Sequence, residues 1–241
     1  MNTLLNTLYT PLDCHERPAY DIGDLKSWMH DYHVKLREIR THMHQGSTLG
    51  ENVSNNYPWS PVNPFNRTFG GWQGKFDERF PDLADYFTSA YGLTIDDINN
   101  FLILPVKENH TGMFWHQDPD EYALRMYLDF EDGAGKLILK KTKEAYTEQP
   151  AISPRYFPSP ELAVDIHNYL HDEIHECKLL KSSQCFYLNN VRAAHTTKID
   201  VPGKSRIAVI IYHNKSTSVL NKINALVERS LEKYSDYAIT Y

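Results

Sequence analysis

The sequence predicts a mainly β protein, an antiparallel sandwich or barrel with helices packed around it. Short runs rich in β-branched and aromatic residues crowd the region from about residue 99 to residue 213, and segments with helical spacing lie outside it. The chain has no regular strand–helix alternation and no glycine-rich nucleotide-binding motif. Both absences argue against a doubly wound α/β fold.

Three segments have the apolar spacing of amphipathic helices. They are residues 24–44, Phe80–Tyr91 and Ser218–Tyr234. Asp21 or Asp24 can cap the first segment, because a carboxylate there accepts a backbone N–H. Gly92 suits the position just after the second segment. The stretch 46–75 is rich in Gly, Asn, Pro and Ser and is expected to be a long loop.

The strands are expected in one block that a helix-containing insertion interrupts. The predicted strands are Phe101–Val106, Met113–Asp118, Ala123–Phe130, Lys136–Lys140, Leu179–Leu180, Gln184–Asn189 and Ser205–His213. Asp132–Gly135 has the composition of a hairpin turn. The insertion, 141–176, carries four prolines and a helix that begins near Ser159 and ends at about Tyr169 or His175. We therefore predict a single domain over 1–241, with a helical N-terminal part (1–98), a core (99–213) and a C-terminal helix (218–234).

Composition and charge exclude several classes of protein. Hydrophobic content of 41% and charged content of 23% are those of an ordinary globular chain. The net charge of −6 disfavours a nucleic-acid partner. No run of 18 apolar residues and no secretory signal is found, so no membrane partner is expected. Three cysteines without a C-x-x-C pair fit a reducing compartment, and we predict a cytoplasmic protein.

The strongest chemical signal is the sequence His116-Gln117-Asp118. On a strand, residues i and i+2 share a face, so the imidazole and the carboxylate project together. His195 can supply a third ligand. Two histidines and one carboxylate with open positions are typical of non-haem Fe(II) oxygenases. Arg206, eleven positions after His195, begins an apolar strand, where a guanidinium needs an anion such as a carboxylate.

A second group of histidines gives a weaker signal. His167, His171 and His175 stand at i, i+4 and i+8, on one face if the segment is helical. A zinc site is one interpretation, but the glutamate of an H-E-x-x-H motif is absent, and the outer two lie about 12 Å apart along a helix. We favour a solvated helix face.

These motifs make residues 99–213 resemble the Fe(II)- and 2-oxoglutarate-dependent oxygenases, most closely the aspartyl/asparaginyl β-hydroxylase branch, which includes hydroxylases of free amino acids. The resemblance is carried by His116-Gln117-Asp118, by Leu124–Leu128, and by His195 with Arg206. In that branch an arginine follows the first metal histidine by nine positions, as Arg125 does here. Two positions later the branch often has histidine, whereas this chain has Tyr127. The 77-position interval between Asp118 and His195 is long for the family.

The resemblance implies a fold, cofactors and residue roles. The fold would be a double-stranded β-helix, a cupin-like jelly roll. The cofactors would be Fe(II), held by His116, Asp118 and His195, with 2-oxoglutarate as cosubstrate and dioxygen as oxidant. Arg206 would bind the distal carboxylate of 2-oxoglutarate. Arg125, with Tyr127 on the same strand face, would contact either the cosubstrate's other end or a substrate carboxylate.

The substrate expected is small and zwitterionic. Polar side chains near the predicted iron position, Gln117, Asn189 and Arg192, together with Arg125, suit an amino acid or a derivative. Three other possibilities stay open: a peptide or larger biosynthetic intermediate as substrate, a non-catalytic cupin-like binding module, and a metal-dependent isomerase or hydrolase that does not use oxoglutarate. Succinate production with oxoglutarate separates the oxygenase from the last two.

Overall fold

The computed structural model describes residues 3–14, 21, 23–25, 27, 62–66, 76–106, 115–117, 122–128, 136–143, 155–156, 169–178, 185–198 and 206–241. Its contacts divide the chain into two compact units. One consists of 1–15 with 62–241, and the other of 16–61. In the smaller unit, residues 23–25 and 27 are helical, and Asp21 accepts a hydrogen bond from the Gly23 backbone N–H at 2.8 Å. The expectation of one domain over 1–241 stays a prediction.

The larger unit is built on two antiparallel sheets. In its described part the strands are β1 (Thr7–Pro11), β2 (Val62–Asn66), β3 (Ile98–Val106), β4 (His116–Gln117), β5 (Tyr122–Leu128), β6 (Lys136–Lys141), β7 (Arg155–Tyr156), β8 (His175–Cys177), β9 (Cys185–Asn189), β10 (Ala193–Lys198), β11 (Arg206–His213) and β12 (Ile239–Thr240). The larger sheet has the order β12-β1-β9-β5-β11-β3-β2, and the smaller has the order β7-β4-β10-β6-β8.

The strand order is that of a jelly roll. Along the chain, β3, β5, β9 and β11 belong to the larger sheet, and β4, β6, β8 and β10 belong to the smaller one. The chain therefore passes back and forth between the sheets, as in cupins. The remaining strands extend the sheet edges. The predicted mainly β fold with a double-stranded β-helix core is confirmed.

The core between the two sheets is apolar. Leu137 and Leu139 of β6 pack in one buried cluster with residues of the larger sheet, including Tyr127 and Phe186. The rings of Tyr127 and Phe186 meet edge to face with centroids 5.0 Å apart. Edge-to-face packing of two aromatic rings adds to the stability that their burial gives.

Helices lie at both ends of the core sequence. In the described part of the larger unit they are Thr3–Asn6, Phe76–Arg79, Pro81–Ser89 and Thr217–Lys233, with two short 3-10 turns at Ile95–Asp97 and Ser235–Tyr237. Ser216 caps the C-terminal helix, its hydroxyl accepting the Val219 N–H at 3.4 Å. Phe76 and Phe87 pack against Phe101 of β3, with ring centroids 4.9 and 6.3 Å from it.

The structure corrects several of the sequence-based elements. β1, β7, β10 and β12 were not expected as strands, and β2 lies inside the stretch 46–75 that was expected to be a loop. The predicted insertion helix does not extend to His175, because residues His175–Cys177 pair with β6 as β8. The predicted strand Leu179–Leu180 and the turn Asp132–Gly135 lie outside the described residues. No helix in the described part of the chain is long and apolar enough to span a membrane.

Candidate metal centre

Two histidines far apart in sequence face each other inside the jelly roll. His116 of β4 and His195 of β10 are direct partners in the antiparallel register. Cross-strand partners present their side chains on the same face of a sheet. Their ring centroids are 4.2 Å apart with the planes tilted by 50°. Both side chains are buried, with 5% and 2% of their surface exposed. Two imidazole donors thus converge in a site shielded from bulk solvent.

The predicted third ligand, Asp118, lies outside the described residues. The described part of β4 ends at Gln117, one position before it. Among the described residues, no three His, Cys, Asp or Glu side chains are grouped closely enough to hold an ion. The three-ligand set His116, Asp118 and His195 therefore stays a prediction, of which the structure places the two histidines together.

Arg125 reaches the same site from the opposite sheet. It lies on β5 between Phe186 of β9 and Ile210 of β11 in the register, and it is buried. Its Nη2 atom is 3.0 Å from Nε2 of His195. A guanidinium can only donate, so Nε2 is the acceptor and the hydrogen of the neutral imidazole is on Nδ1. A fixed positive charge is therefore held against one of the two facing histidines.

The environment keeps His195 neutral. The pKa of His195 is well below its usual value of 6.5. Burial is the largest cause, and the neighbouring His116 and Arg125 lower it further. Burial penalises the charged form, and a nearby cation does the same. Neutral imidazole is the protonation state in which histidine binds metals. The two facing imidazoles and their burial thus fit a nitrogen-rich metal site, provided that Arg125 releases Nε2.

The two other predicted cosubstrate residues are placed differently. β11 begins at Arg206, whose backbone pairs with Val106. The Arg206 side chain lies outside what the structure describes. Tyr127 lies two positions beyond Arg125 on the same strand face, and its ring is part of the buried core cluster. The roles assigned to Arg206, Arg125 and Tyr127 in holding the cosubstrate stay predictions.

Gln117, predicted to contact substrate, is hydrogen-bonded to a turn. Its amide nitrogen donates to the carbonyl oxygens of Asn190 and Val191, at 2.6 and 3.0 Å. The side chain is 1% exposed. Strand alternation directs it to the face opposite His116. Gln117 thus ties β4, which carries one histidine, to the turn that precedes β10, which carries the other.

Asn189, the second predicted substrate contact, organises the same turn. Its side-chain oxygen accepts the backbone N–H groups of Val191 and Arg192, at 3.0 and 3.1 Å. Its amide nitrogen donates to the Leu4 carbonyl at 2.9 Å. Arg192, the third, places its guanidinium 4.5 Å from the centre of the Tyr241 ring. These observed contacts are with protein groups, and contact of the three residues with substrate stays a prediction.

The second histidine group is not a helical face. His175 starts β8 and lies 3.6 Å from a carboxylate oxygen of Glu173, whereas His171 is exposed. His167 lies outside the described residues. β8 pairs with β6 and buries Cys177 against the core, which excludes a helix at His175.

Sequence reasoning missed one neighbour of the site. β7 pairs with β4 so that Tyr156 is opposite His116 in the register, on the side away from β10. The signal was weak: Arg155-Tyr156-Phe157 is a short aromatic run between Pro154 and Pro158. Proline-flanked runs of this kind are often edge strands.

Comparisons with known proteins give a distant likeness in fold. No known family profile and no curated protein matches the chain. EvdMO1 is 13% identical with a TM-score of 0.41, over 89% of this chain and 49% of EvdMO1, so the chain spans about half the length of that protein. ThoJ, a non-haem monooxygenase in its apo form, is 12% identical with a TM-score of 0.38, over 96% of this chain and 95% of ThoJ. The epimerase SnoN, in complex with Fe3+, alpha ketoglutarate and nogalamycin RO, is 14% identical with a TM-score of 0.33, over 91% of this chain and 86% of SnoN.

Proposed function

We propose that the chain is a non-haem Fe(II)- and 2-oxoglutarate-dependent oxygenase that hydroxylates a C–H bond of a small, amino-acid-like substrate. The observation that carries this proposal is the pair of buried histidines, His116 and His195, facing each other across neighbouring strands of a jelly roll. In this proposal they hold the iron together with Asp118, the residue two positions after His116. The aspartyl/asparaginyl β-hydroxylase branch is the part of the superfamily that we infer.

The iron with 2-oxoglutarate and dioxygen would supply the oxidising power to hydroxylate an unactivated C–H bond, giving succinate and CO2. The residues of the chain would bind and orient the substrate and the cosubstrate, and they would exclude water. Arg206 would hold the distal carboxylate of the cosubstrate in a bidentate pair. The apolar cluster around Tyr127 and Phe186 would exclude water from the interior between the sheets, which strengthens charge–charge contacts inside it.

Arg125 supports the choice of a carboxylate-bearing ligand. A guanidinium buried on an inward-facing strand position favours binding of an anion, because an anion compensates its lost hydration. A carboxylate matches the planar geometry of its donors. An amino acid offers that group. A peptide or a larger biosynthetic intermediate that presents a carboxylate is the alternative substrate.

Succinate formation tests the proposal directly. The purified protein is incubated with Fe(II), 2-oxoglutarate and a panel of free amino acids, and succinate is measured with and without each amino acid. We expect one amino acid or a small group to stimulate succinate formation and to gain one oxygen atom. The His195→Ala variant should form none, because it loses a metal ligand. Absence of succinate with every amino acid and with a peptide panel contradicts an oxygenase.

The same assay assigns Arg125. Arg125→Ala should abolish hydroxylation of the stimulating amino acid. If Arg125 binds substrate, slow uncoupled succinate formation survives in the variant, whereas a cosubstrate role removes that as well. Unchanged kinetics in Arg125→Ala would mean that neither carboxylate contacts this side chain.

A non-catalytic binding module is a second candidate, and one observation favours it. His195 Nε2 already accepts a hydrogen bond from Arg125, as it would in a jelly roll that binds a small anion without iron. This candidate requires that the protein bind a carboxylate without stoichiometric iron. Measurement of iron content after reconstitution separates the two candidates.

A further inference from the structure

The contact between Arg125 and His195 has a strict hydrogen-bonding requirement. Nη2 of Arg125 lies 3.0 Å from Nε2 of His195, and both side chains are buried. The guanidinium has five N–H donors and no acceptor. The contact therefore uses the one in-plane lone pair of a neutral imidazole, which has to be on Nε2.

A metal ion cannot share this imidazole with the guanidinium, whichever ring nitrogen it uses. If the metal binds Nε2, it takes the lone pair that accepts from Arg125. If it binds Nδ1, the hydrogen of the neutral ring moves to Nε2, where it meets the N–H groups of the guanidinium. Two donors then face each other at hydrogen-bonding distance, which is repulsive.

We propose that Arg125 and a divalent metal ion alternate on His195, so that metal binding displaces the guanidinium. The proposal deepens the proposed function and rests on its assignment of His195 as a ligand. In the metal-free protein Arg125 holds the ring in the Nδ1–H tautomer, and the metal has to compete with a buried cation for it. Once displaced, the guanidinium remains on β5 beside the site and is available to a carboxylate of the cosubstrate or substrate.

Zn2+ titration of variants tests this alternation without turnover. Zn2+ binds the same classes of ligand and undergoes no redox chemistry. Affinity is measured by competition with a chromophoric chelator for the wild type, for Arg125→Met and for Arg229→Met. Methionine keeps much of the length of arginine without its donors. Arg229 lies exposed on the C-terminal helix, so its variant controls for the loss of one positive charge. His195→Ala identifies the site, because the tight Zn2+ should be lost in it.

Arg125→Met should bind Zn2+ about tenfold more tightly or better, since a charge-assisted hydrogen bond no longer competes for the ring. A factor of ten corresponds to about 1.4 kcal/mol. Arg229→Met should bind Zn2+ like the wild type. Equal or weaker Zn2+ affinity in Arg125→Met overturns the proposal, as does the absence of Zn2+ binding at His195.

A measurement on the wild type covers the case in which Arg125→Met does not fold. In protein labelled with 15N at arginine and histidine, Zn2+ should abolish the nuclear Overhauser effect between the Arg125 guanidinium hydrogens and the His195 ring hydrogens. Persistence of that contact with Zn2+ bound to His195 overturns the alternation. The succinate assay keeps the two proposals apart. If Arg125→Met binds Zn2+ more tightly but the wild type forms no succinate, the alternation is supported and the oxygenase is contradicted. If the wild type forms succinate but Arg125→Met does not bind Zn2+ more tightly, the oxygenase is supported and the alternation is contradicted.

Discussion

At the scale of single residues, the site combines a histidine and an arginine that can both be recognised in the sequence. His116 is marked by the H-x-D spacing, and Arg125 stands out as a cation in the apolar strand Tyr122–Leu128. The structure places both in the interior, where Arg125 meets His195. The pairing of His116 with His195 at one site was predicted, whereas the direct contact between Arg125 and His195 was not, because a contact across two sheets depends on the register of strands that are distant in sequence.

Arg206→Ala should weaken 2-oxoglutarate binding while leaving metal binding nearly unchanged. A lost bidentate, charge-assisted contact costs on the order of 2–5 kcal/mol when the partner charge is desolvated. Calorimetric titration of the metal-loaded protein with 2-oxoglutarate measures the effect. Arg229→Ala removes an exposed arginine and is the matched control. Equal affinity in Arg206→Ala and wild type would rule out the assigned role.

At the scale of elements, β10 shows where sequence patterns fail. Its residues, Ala193–Lys198, are small or polar and have no apolar alternation, yet they form the centre of the smaller sheet between β4 and β6. Strand formation there follows from the two neighbours that pair with it rather than from its own propensity. By contrast, β5 and β11 are apolar runs that the sequence predicted to within about two residues at each end.

The turn between β9 and β10 depends on Gln117. Its amide nitrogen donates to two carbonyl groups of the turn from a fully buried position. Gln117→Met keeps the length and removes the donor, so two buried carbonyl groups lose a partner, which costs about 1–3 kcal/mol. Urea denaturation should give that loss of unfolding free energy.

The control for this variant is Asn224→Leu, which removes an exposed amide that bonds Glu228 within the C-terminal helix. It should change the unfolding free energy by much less. Because Gln117 joins the segments that carry the two histidines, Gln117→Met should also weaken Zn2+ binding. A variant that is destabilised but binds Zn2+ like the wild type would show that the turn does not position the histidines.

At the scale of the whole molecule, burial of a neutral histidine makes stability depend on pH. The pKa of His195 is lowered in the folded protein, so the unfolded chain binds more protons near and below pH 6.5. Stability is therefore present above that pH and is lost as the pH falls through it. The unfolding free energy of the metal-free protein should decrease below about pH 6.5.

His195→Gln should show a shallower decrease over the same window, because its side chain takes up no proton. His171→Gln, which replaces an exposed histidine, is the matched control. Denaturation curves at several pH values provide the comparison. Identical slopes for His195→Gln and wild type would mean that protonation of His195 is not coupled to unfolding.

The N-terminal strand has a consequence for how the molecule is made. β1 pairs with β9, and the Tyr187 hydroxyl donates to the Leu4 carbonyl across 183 positions of sequence. During synthesis Thr7–Pro11 leaves the ribosome before β9 and stays without this partner until β9 has followed. Strand pairings of such long sequence separation form slowly, because the entropy of closing the intervening loop is lost before any contact stabilises the pair. An early apolar strand without its neighbour is a template for wrong association. We therefore expect the nascent chain to depend on chaperones until residue 189 has left the ribosome.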